Sequence, residues 1–208
     1  MPSFRTGTVT AILSERIGLQ RLEVDGRRAY VLTQLTGRVA VGDRVVINTT
    51  AVALGLGTGG WDVVHWNLAN DALELPGGGH VMKLRYTSIQ ADTGVDEEHS
   101  VVPERIDGTP VVALALHSQL AGVSAAIRAV DPALRVAYVM TDGGALPVAL
   151  SDLLHDLSAA GLIDGTVSAG HAFGGDFEAV NVRSALGVAK WRLHADVILV
   201  GMGPGSVG

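Results

Sequence analysis

The 208-residue sequence has no cysteine, only two lysines (Lys83 and Lys190) and only 4% aromatic residues. Without cysteine there is no disulfide, no thiolate metal ligand and no thiol nucleophile, so any chemistry falls to oxygen and nitrogen groups, and a metal would need His, Asp or Glu. No G-x-x-x-x-G-K-[ST] loop is present, which removes the lysine that clamps phosphates in a P-loop. Few aromatics leave little for base stacking, with Tyr30, Trp61 and Trp66 the obvious ones. No run reaches the roughly 18 uninterrupted apolar residues of a membrane span, and the start, MPSFRTGTVTAI, lacks the basic-then-apolar order of a signal peptide. The expectation is a cytoplasmic protein with no membrane partner.

What is present is an apolar share of 48%, a charged share of 17% and 27 glycines. That is the composition of an α/β protein with many tight turns and cores of Val, Leu, Ala and Ile. Seven arginines against five acids leave residues 1–70 at +2, whereas eight bases against sixteen acids leave residues 71–208 at −8. An acidic second half argues against nucleic acid as a partner, because binding a phosphate backbone depends on clustered Lys and Arg.

Residues 1–75 read as a small antiparallel β-barrel of the OB or SH3-like sort. TGTVTAIL, GLQRLEVDG, RRAYVLTQL, DRVVINTTAVAL and WDVVHWNL make about five strands and no helix, with turns at Asp25-Gly26 and Gly42-Asp43. DALELPGGG, residues 71–79, reads as a linker. Residues 80–208 read as a Rossmann-like α/β domain with a mainly parallel sheet. HVMKLRYTSIQ alternates like a strand, and residues 91–109 form an acidic loop. VVALAL precedes a helix with Leu120, Val123, Ile127 and Val130 on one face; RVAYVM precedes a helix opening at Pro147; TVSA precedes a loop and a helix with Val182, Leu186, Ala189 and Leu193 buried; DVILV is the fourth strand.

In a parallel sheet built from βαβ units the ligand sits beyond the carboxyl ends of the strands. Four glycine-bearing loops follow those strands, and from them come the candidate ligand contacts His117, Ser118, Gln119, Gly143, Gly174, Gly175, Asn181, Gly203, Gly205 and Ser206. The candidate acids and bases are His171, Asp142, Asp176 and Glu178, with His171 the sharpest because imidazole titrates near neutral pH. Each also has a structural reading: Ser118 and Asp176 as helix N-caps, Asp142 as a turn former, His117 as a core histidine, Glu178 and Asn181 as a solvated helix start, and His65 as a barrel residue. No metal or cofactor is assigned; a metal would require Asp142, His171 and Asp176 or Glu178 to converge. Gly55, Gly57 and Gly60 match G-x-G-x-x-G but precede a strand, so they are no dinucleotide fingerprint, and Gly203, Gly205 and Gly208 match it without the helix it requires.

The set HVMKLRYTSIQ, VALALHSQLAG, AYVMTDGGALP, GHAFGGDFEAVNV and GMGPGSVG, together with GRVAVGDRVVI in the barrel, resembles an uncharacterised bacterial family, domain of unknown function 3866. The resemblance implies relatives that continue past the final glycine loop, so the chain reads as a truncated or naturally short form with an incomplete last βα unit. It implies no activity. The functional expectation is a small-molecule protein, binding an anionic or phosphorylated ligand or acting as a hydrolase or group-transfer enzyme at the strand ends. The alternative is a non-catalytic binding or assembly module using the barrel. A homo-oligomer covering an open sheet edge is a further expectation.

Overall fold

A computed structural model describes residues 1–57, 59–103 and 105–205. They fall into two units, Met1–Pro76 and a second beginning at Gly77. In the first, β1 (Phe4–Arg16), β2 (Leu19–Val24), β3 (Arg27–Leu32), β4 (Arg44–Asn48) and β5 (Asp62–Asn67) close into a barrel in the order β1-β2-β3-β5-β4. The start of β1 pairs with β4 and its remainder, through two irregularities in register, with β2, so one long strand serves two neighbours. Period-2 alternation sends Val9, Leu22, Val24, Ala29, Val31, Val45, Ile47 and Val64 inward as one core. Asp25 and Gly26, both left-handed with φ of 45° and 78°, make the tight β2–β3 hairpin.

Two features depart from the expected all-antiparallel, helix-free barrel. β3 and β5 pair in parallel, and single helical turns stand at α1 (Thr33–Thr36) and α2 (Thr50–Ala53). Four residues complete about one turn, too little to leave a helical period in the sequence, and both turns are rich in β-branched residues that suit strands better.

The second unit begins with a two-residue ribbon, β6 (Met82–Lys83) against β7 (Ala91–Asp92), and a 3-10 turn at Asp96–Glu98. Then come β8 (Val111–Leu114), α3 (Gln119–Val130), β9 (Val136–Thr141), α4 (Asp152–Ala159), β10 (Gly165–Ala169), β11 (Phe177–Ala179), α5 (Val182–Trp191) and β12 (Val197–Met202). These strands form one parallel sheet in the order β11-β10-β9-β12-β8. Residues 136–140 are buried without a break, as a strand covered on both faces must be. Val136, Tyr138, Met140 and Leu199 meet Leu120 of α3 and Leu154 and Leu157 of α4 in one core. Ala137, Val139, Val167 and Ile198 meet Ala185, Val188 and Ala189 of α5 in another. The chain is thus mixed α/β, a closed five-stranded barrel followed by a parallel sheet. Among the described residues no helix is long and apolar enough to cross a membrane.

Several local expectations are corrected. The alternation of HVMKLRYTSIQ survives only as β6, because Leu84 and Tyr86 take left-handed φ of 51° and 64° and turn the chain while Lys83 points into the protein. Pro147 opens only a 3-10 turn, Val148–Leu150; α4 starts at Asp152, where the Ser151 hydroxyl accepts the Leu154 N–H as an N-cap. Val130, expected on the same face of α3 as Leu120, is 84% exposed at the end of that helix, whereas Leu120 is buried. On α5 the buried side chains are centred on Ala185, Val188 and Ala189, with Val182 exposed.

Candidate functional site

The carboxyl ends of β8, β9 and β12 lie side by side, because β12 enters between the other two. After β12 the backbone of Gly203 and Pro204 lies directly on the loop that follows β9. Ala145 donates its N–H to Pro204 O at 3.0 Å, and a Cβ on Gly203 would stand 2.0 Å from Ala145 O. A Cβ on Gly144 would likewise meet Gly203 O at 2.4 Å. These two glycines are there to let two backbones touch.

Beside this contact lies a cleft of about 290 Å³, lined by Leu116, His117, Ser118, Leu153, Met202, Gly203, Pro204 and Gly205. Of the residues expected from the sequence, His117, Ser118, Gly203 and Gly205 meet here. The turn from β8 into α3 holds the first two: Gln119 N–H donates to Leu116 O, Leu120 N–H donates to His117 O, and Leu116 N–H donates to Gln119 Oε1. Gln119 therefore ties down the turn and does not line the cleft. Ser118 holds the N-cap position of α3 without a capping bond from its side chain, contrary to its structural reading.

His117 is 9% exposed and fully engaged. Its Nδ1 stands 3.0 Å from Met202 O and 3.2 Å from Tyr138 Oη, and its Nε2 stands 2.7 Å from Ser151 Oγ. Tyr138 Oη donates to Met202 O at 2.7 Å. A backbone carbonyl can only accept, so Nδ1 carries the proton and Nε2 is free to accept from the Ser151 hydroxyl. Burial lowers the His117 pKa below its ordinary 6.5, against the raising effect of the Met202 carbonyl. Burial likewise raises the Tyr138 phenol, so it stays a donor.

The sign of the resulting pH dependence is fixed. With the folded pKa depressed, the unfolded chain binds more protons near pH 6, so His117's contribution to stability is lost as pH falls below about 6.5. The difference in unfolding free energy between the wild-type chain and His117→Gln should therefore shrink between pH 7 and pH 5 by equilibrium denaturation. A constant difference would show that His117 does not titrate this way. Subtracting the variant removes Glu178, whose shift acts with the opposite sign.

A second cluster sits where β10 and β11 end. Lys83, 1% exposed, donates from Nζ to Gly170 O at 2.8 Å and lies 3.2 Å from Glu178 Oε2. Glu178 Oε1 accepts the Gly174 N–H at 2.6 Å. Burial pushes the Glu178 carboxyl up to about 7, against the lowering effects of the Lys83 charge and the Gly174 N–H. Above them, Leu84 N–H donates to His171 Nδ1 at 3.1 Å and Arg85 Nη2 stands 3.1 Å from His171 Nε2. Both ring nitrogens of His171 thus face N–H donors, one from the Leu84 backbone and one from the Arg85 guanidinium, and a neutral imidazole accepts at only one of them. Asp142 Oδ2 accepts the His171 backbone N–H at 3.2 Å, which joins the β9 and β10 loops and leaves the imidazole untouched. Asp142 and His171 thus meet, but in a backbone contact rather than a proton relay.

Asp176 stands away from these strand ends. β11, read from the sequence as loop and helix start, is a strand parallel to β10, so residues 170–176 return across the sheet and Asp176 stands beside Thr166 at the amino edge. There its Oδ2 accepts from Thr166 N at 2.8 Å and Thr166 Oγ1 at 2.9 Å. The Gly174 and Gly175 N–H groups are taken by Glu178 and Ser168, so they are not a cradle for an anion. Glu178 lies in β11, and Asn181 is the N-cap of α5, accepting from Ser184 N–H. A Cβ on Gly143 would meet Met202 Cβ at 3.4 Å, an ordinary contact behind the cleft. Ser206 and Gly208 lie outside the described residues. Among the described residues no group of three His, Asp or Glu is placed to hold a metal ion.

Four participants were not foreseen: Lys83, Arg85, Tyr138 and Ser151. Tyr138 is the one hydroxyl in the apolar run 136–140, and Ser151 stands three residues before Leu154 in the cap position of an apolar-faced helix; both were visible signals. Lys83 sat in an alternating run that gave its side chain no reason to turn inward.

The barrel, the parallel sheet and these strand-end loops define a mixed α/β protein. The chain belongs to the family described as protein of unknown function (DUF3866), whose model matches residues 28–208. No curated protein and no solved structure matches it.

Proposed function

We propose that the second unit is a Rossmann-like small-molecule protein, a ligand-binding protein or a hydrolase or group-transfer enzyme, whose ligand occupies the cleft at the carboxyl ends of β8 and β12. One observation carries the reading: four residues expected from two strand ends, His117 and Ser118 after β8 and Gly203 and Gly205 after β12, line one cleft. Leu116, Leu153, Met202 and Pro204 offer an apolar bed, which suits a ligand with an apolar body. Arg85, beside His171 on the same edge of the sheet, offers a guanidinium donor for an anionic group.

Thermal unfolding in the presence of phosphorylated metabolites, nucleotides and small carboxylic acids and esters tests this. A ligand of the cleft should stabilise the chain by about 2.7 kcal/mol at a hundredfold excess over Kd. Ser118→Trp, at an exposed residue whose side chain makes no capping bond, should abolish that gain while leaving the unliganded unfolding temperature unchanged. A gain that survives Ser118→Trp, or none with any ligand, would sink the proposal.

A further inference from the structure

We propose that Ser151 and His117 form a nucleophile and its general base, taking an acyl group from a small ester that enters the cleft. This rests on the reading of the cleft as a ligand site and gives it a reaction. The parts an activated serine needs are in place: Ser151 Oγ is 2.7 Å from His117 Nε2, and the far side of the ring is held by Met202 O at 3.0 Å, a third group that fixes orientation and tautomer. The capping bond from Leu154 N–H, 2.9 Å, uses a lone pair of Oγ and leaves its proton for the imidazole. Ser151 also stands at the start of α4, where the helix dipole favours negative charge developing on oxygen. Helix capping accounts for the serine alone. It does not account for an imidazole turned onto that serine at the wall of a mostly apolar cleft, since the cap bond to Leu154 N–H forms without it.

In the reaction the Oγ–H proton moves to His117 Nε2 as Oγ bonds to the ester carbonyl carbon, and the carbonyl π pair moves onto its oxygen. Collapse breaks the carbon to alkoxide bond, and the leaving oxygen takes the proton from Nε2, giving an acyl-serine and an alcohol. Water then repeats the path, losing a proton to Nε2 as it attacks and returning it to Ser151 as the acid leaves. Ser151 is only 3% exposed and does not itself line the cleft, so an acyl group must be small enough to reach Oγ beside His117, which does line it, and acetyl esters should react faster than butyryl esters.

The test is incubation of the full chain with p-nitrophenyl acetate, followed by peptide mass mapping. The expected result is an acetyl group on Ser151, absent in Ser151→Ala, kept as a thioester in Ser151→Cys, and formed about 100-fold more slowly or less in His117→Gln. If His117→Gln fails to unfold cooperatively, the pH profile of the wild-type chain decides: acetylation must rise with the loss of a single proton. A folded chain with no acetyl on Ser151, or with acetylation indifferent to His117 and to pH, overturns the pair. The cleft reading fails separately, by the absence of any ligand shift sensitive to Ser118→Trp.

Discussion

Lys83→Met should cost about 3–5 kcal/mol of unfolding free energy at pH 8, the usual penalty for removing one partner of a buried ion pair. The cause is the charge left behind. Glu178 is 13% exposed at its side chain, and among the described residues its close polar partner apart from Lys83 is the Gly174 N–H. The loss should also depend on pH in a direction that can be stated. The Glu178 carboxyl is held up at about 7 even with Lys83 beside it, and without Lys83 it must rise further. A carboxyl whose folded pKa exceeds its unfolded value keeps more protons in the folded state, so stability falls as pH rises from about 4.5 towards the folded pKa. Denaturant titrations should therefore show a large deficit in Lys83→Met at pH 8 and a smaller one at pH 5, where Glu178 is protonated and costs little to bury. Adding Glu178→Gln should recover much of the loss at pH 8. An equal deficit at both pH values would mean that Lys83 acts through packing alone.

Gly203→Ala should destabilise the second unit by about 1–3 kcal/mol, as overpacking does, and should also remove the ligand response of the cleft. The added methyl would stand 2.0 Å from the Ala145 carbonyl oxygen, a backbone atom that cannot rotate away. The only relief is to separate the two loops, and Gly203 and Pro204 line the cleft. Gly143→Ala is the matched control: its methyl meets Met202 at 3.4 Å, so the change should stay within about 0.5 kcal/mol and leave ligand binding intact. Equal effects of the two substitutions in thermal unfolding would show that the close approach of the loops is not what requires glycine at 203.

The regular elements were legible where their pattern was long. The five barrel strands, β8, β9, β10 and β12, and the bulk of α3 and α5 all follow from alternation or from continuous apolar runs between turn residues. β11 was not legible, because Phe177–Ala179 is three residues long and lies in a glycine-rich stretch without a period. That single omission misplaced Asp176, which a strand at 177–179 carries to the amino edge, and gave Glu178 a helix it does not occupy. The convergence of His117, Ser118, Gly203 and Gly205 was readable from topology alone, since all follow parallel strands. The partners of His117 were not, because Tyr138 and Ser151 approach from the middle of a strand and the start of a helix, and a sequence does not say which residues face each other across a sheet. The glycines in these loops invited an anion-binding reading; at Gly144 and Gly203 they serve loop contact, and at Gly174 and Gly175 their N–H groups answer side chains.

The position of β12 has a consequence for the order of folding. Among the described residues β8 pairs with no strand but β12, which lies some 80 residues further along and sits between β8 and β9. As the chain leaves the ribosome, β9, β10 and β11 can assemble with their helices, but β8 has no strand to join until Val197–Met202 emerges. Joining β8 to the sheet thus takes an insertion of β12 between β8 and β9, a long-range step that closes a large loop and belongs among the slower ones. The cleft is made by the same event, since Met202 and Gly203 form part of its wall, and ligand binding would therefore report the joining of β8 and β12 rather than the earlier assembly of β9 to β11.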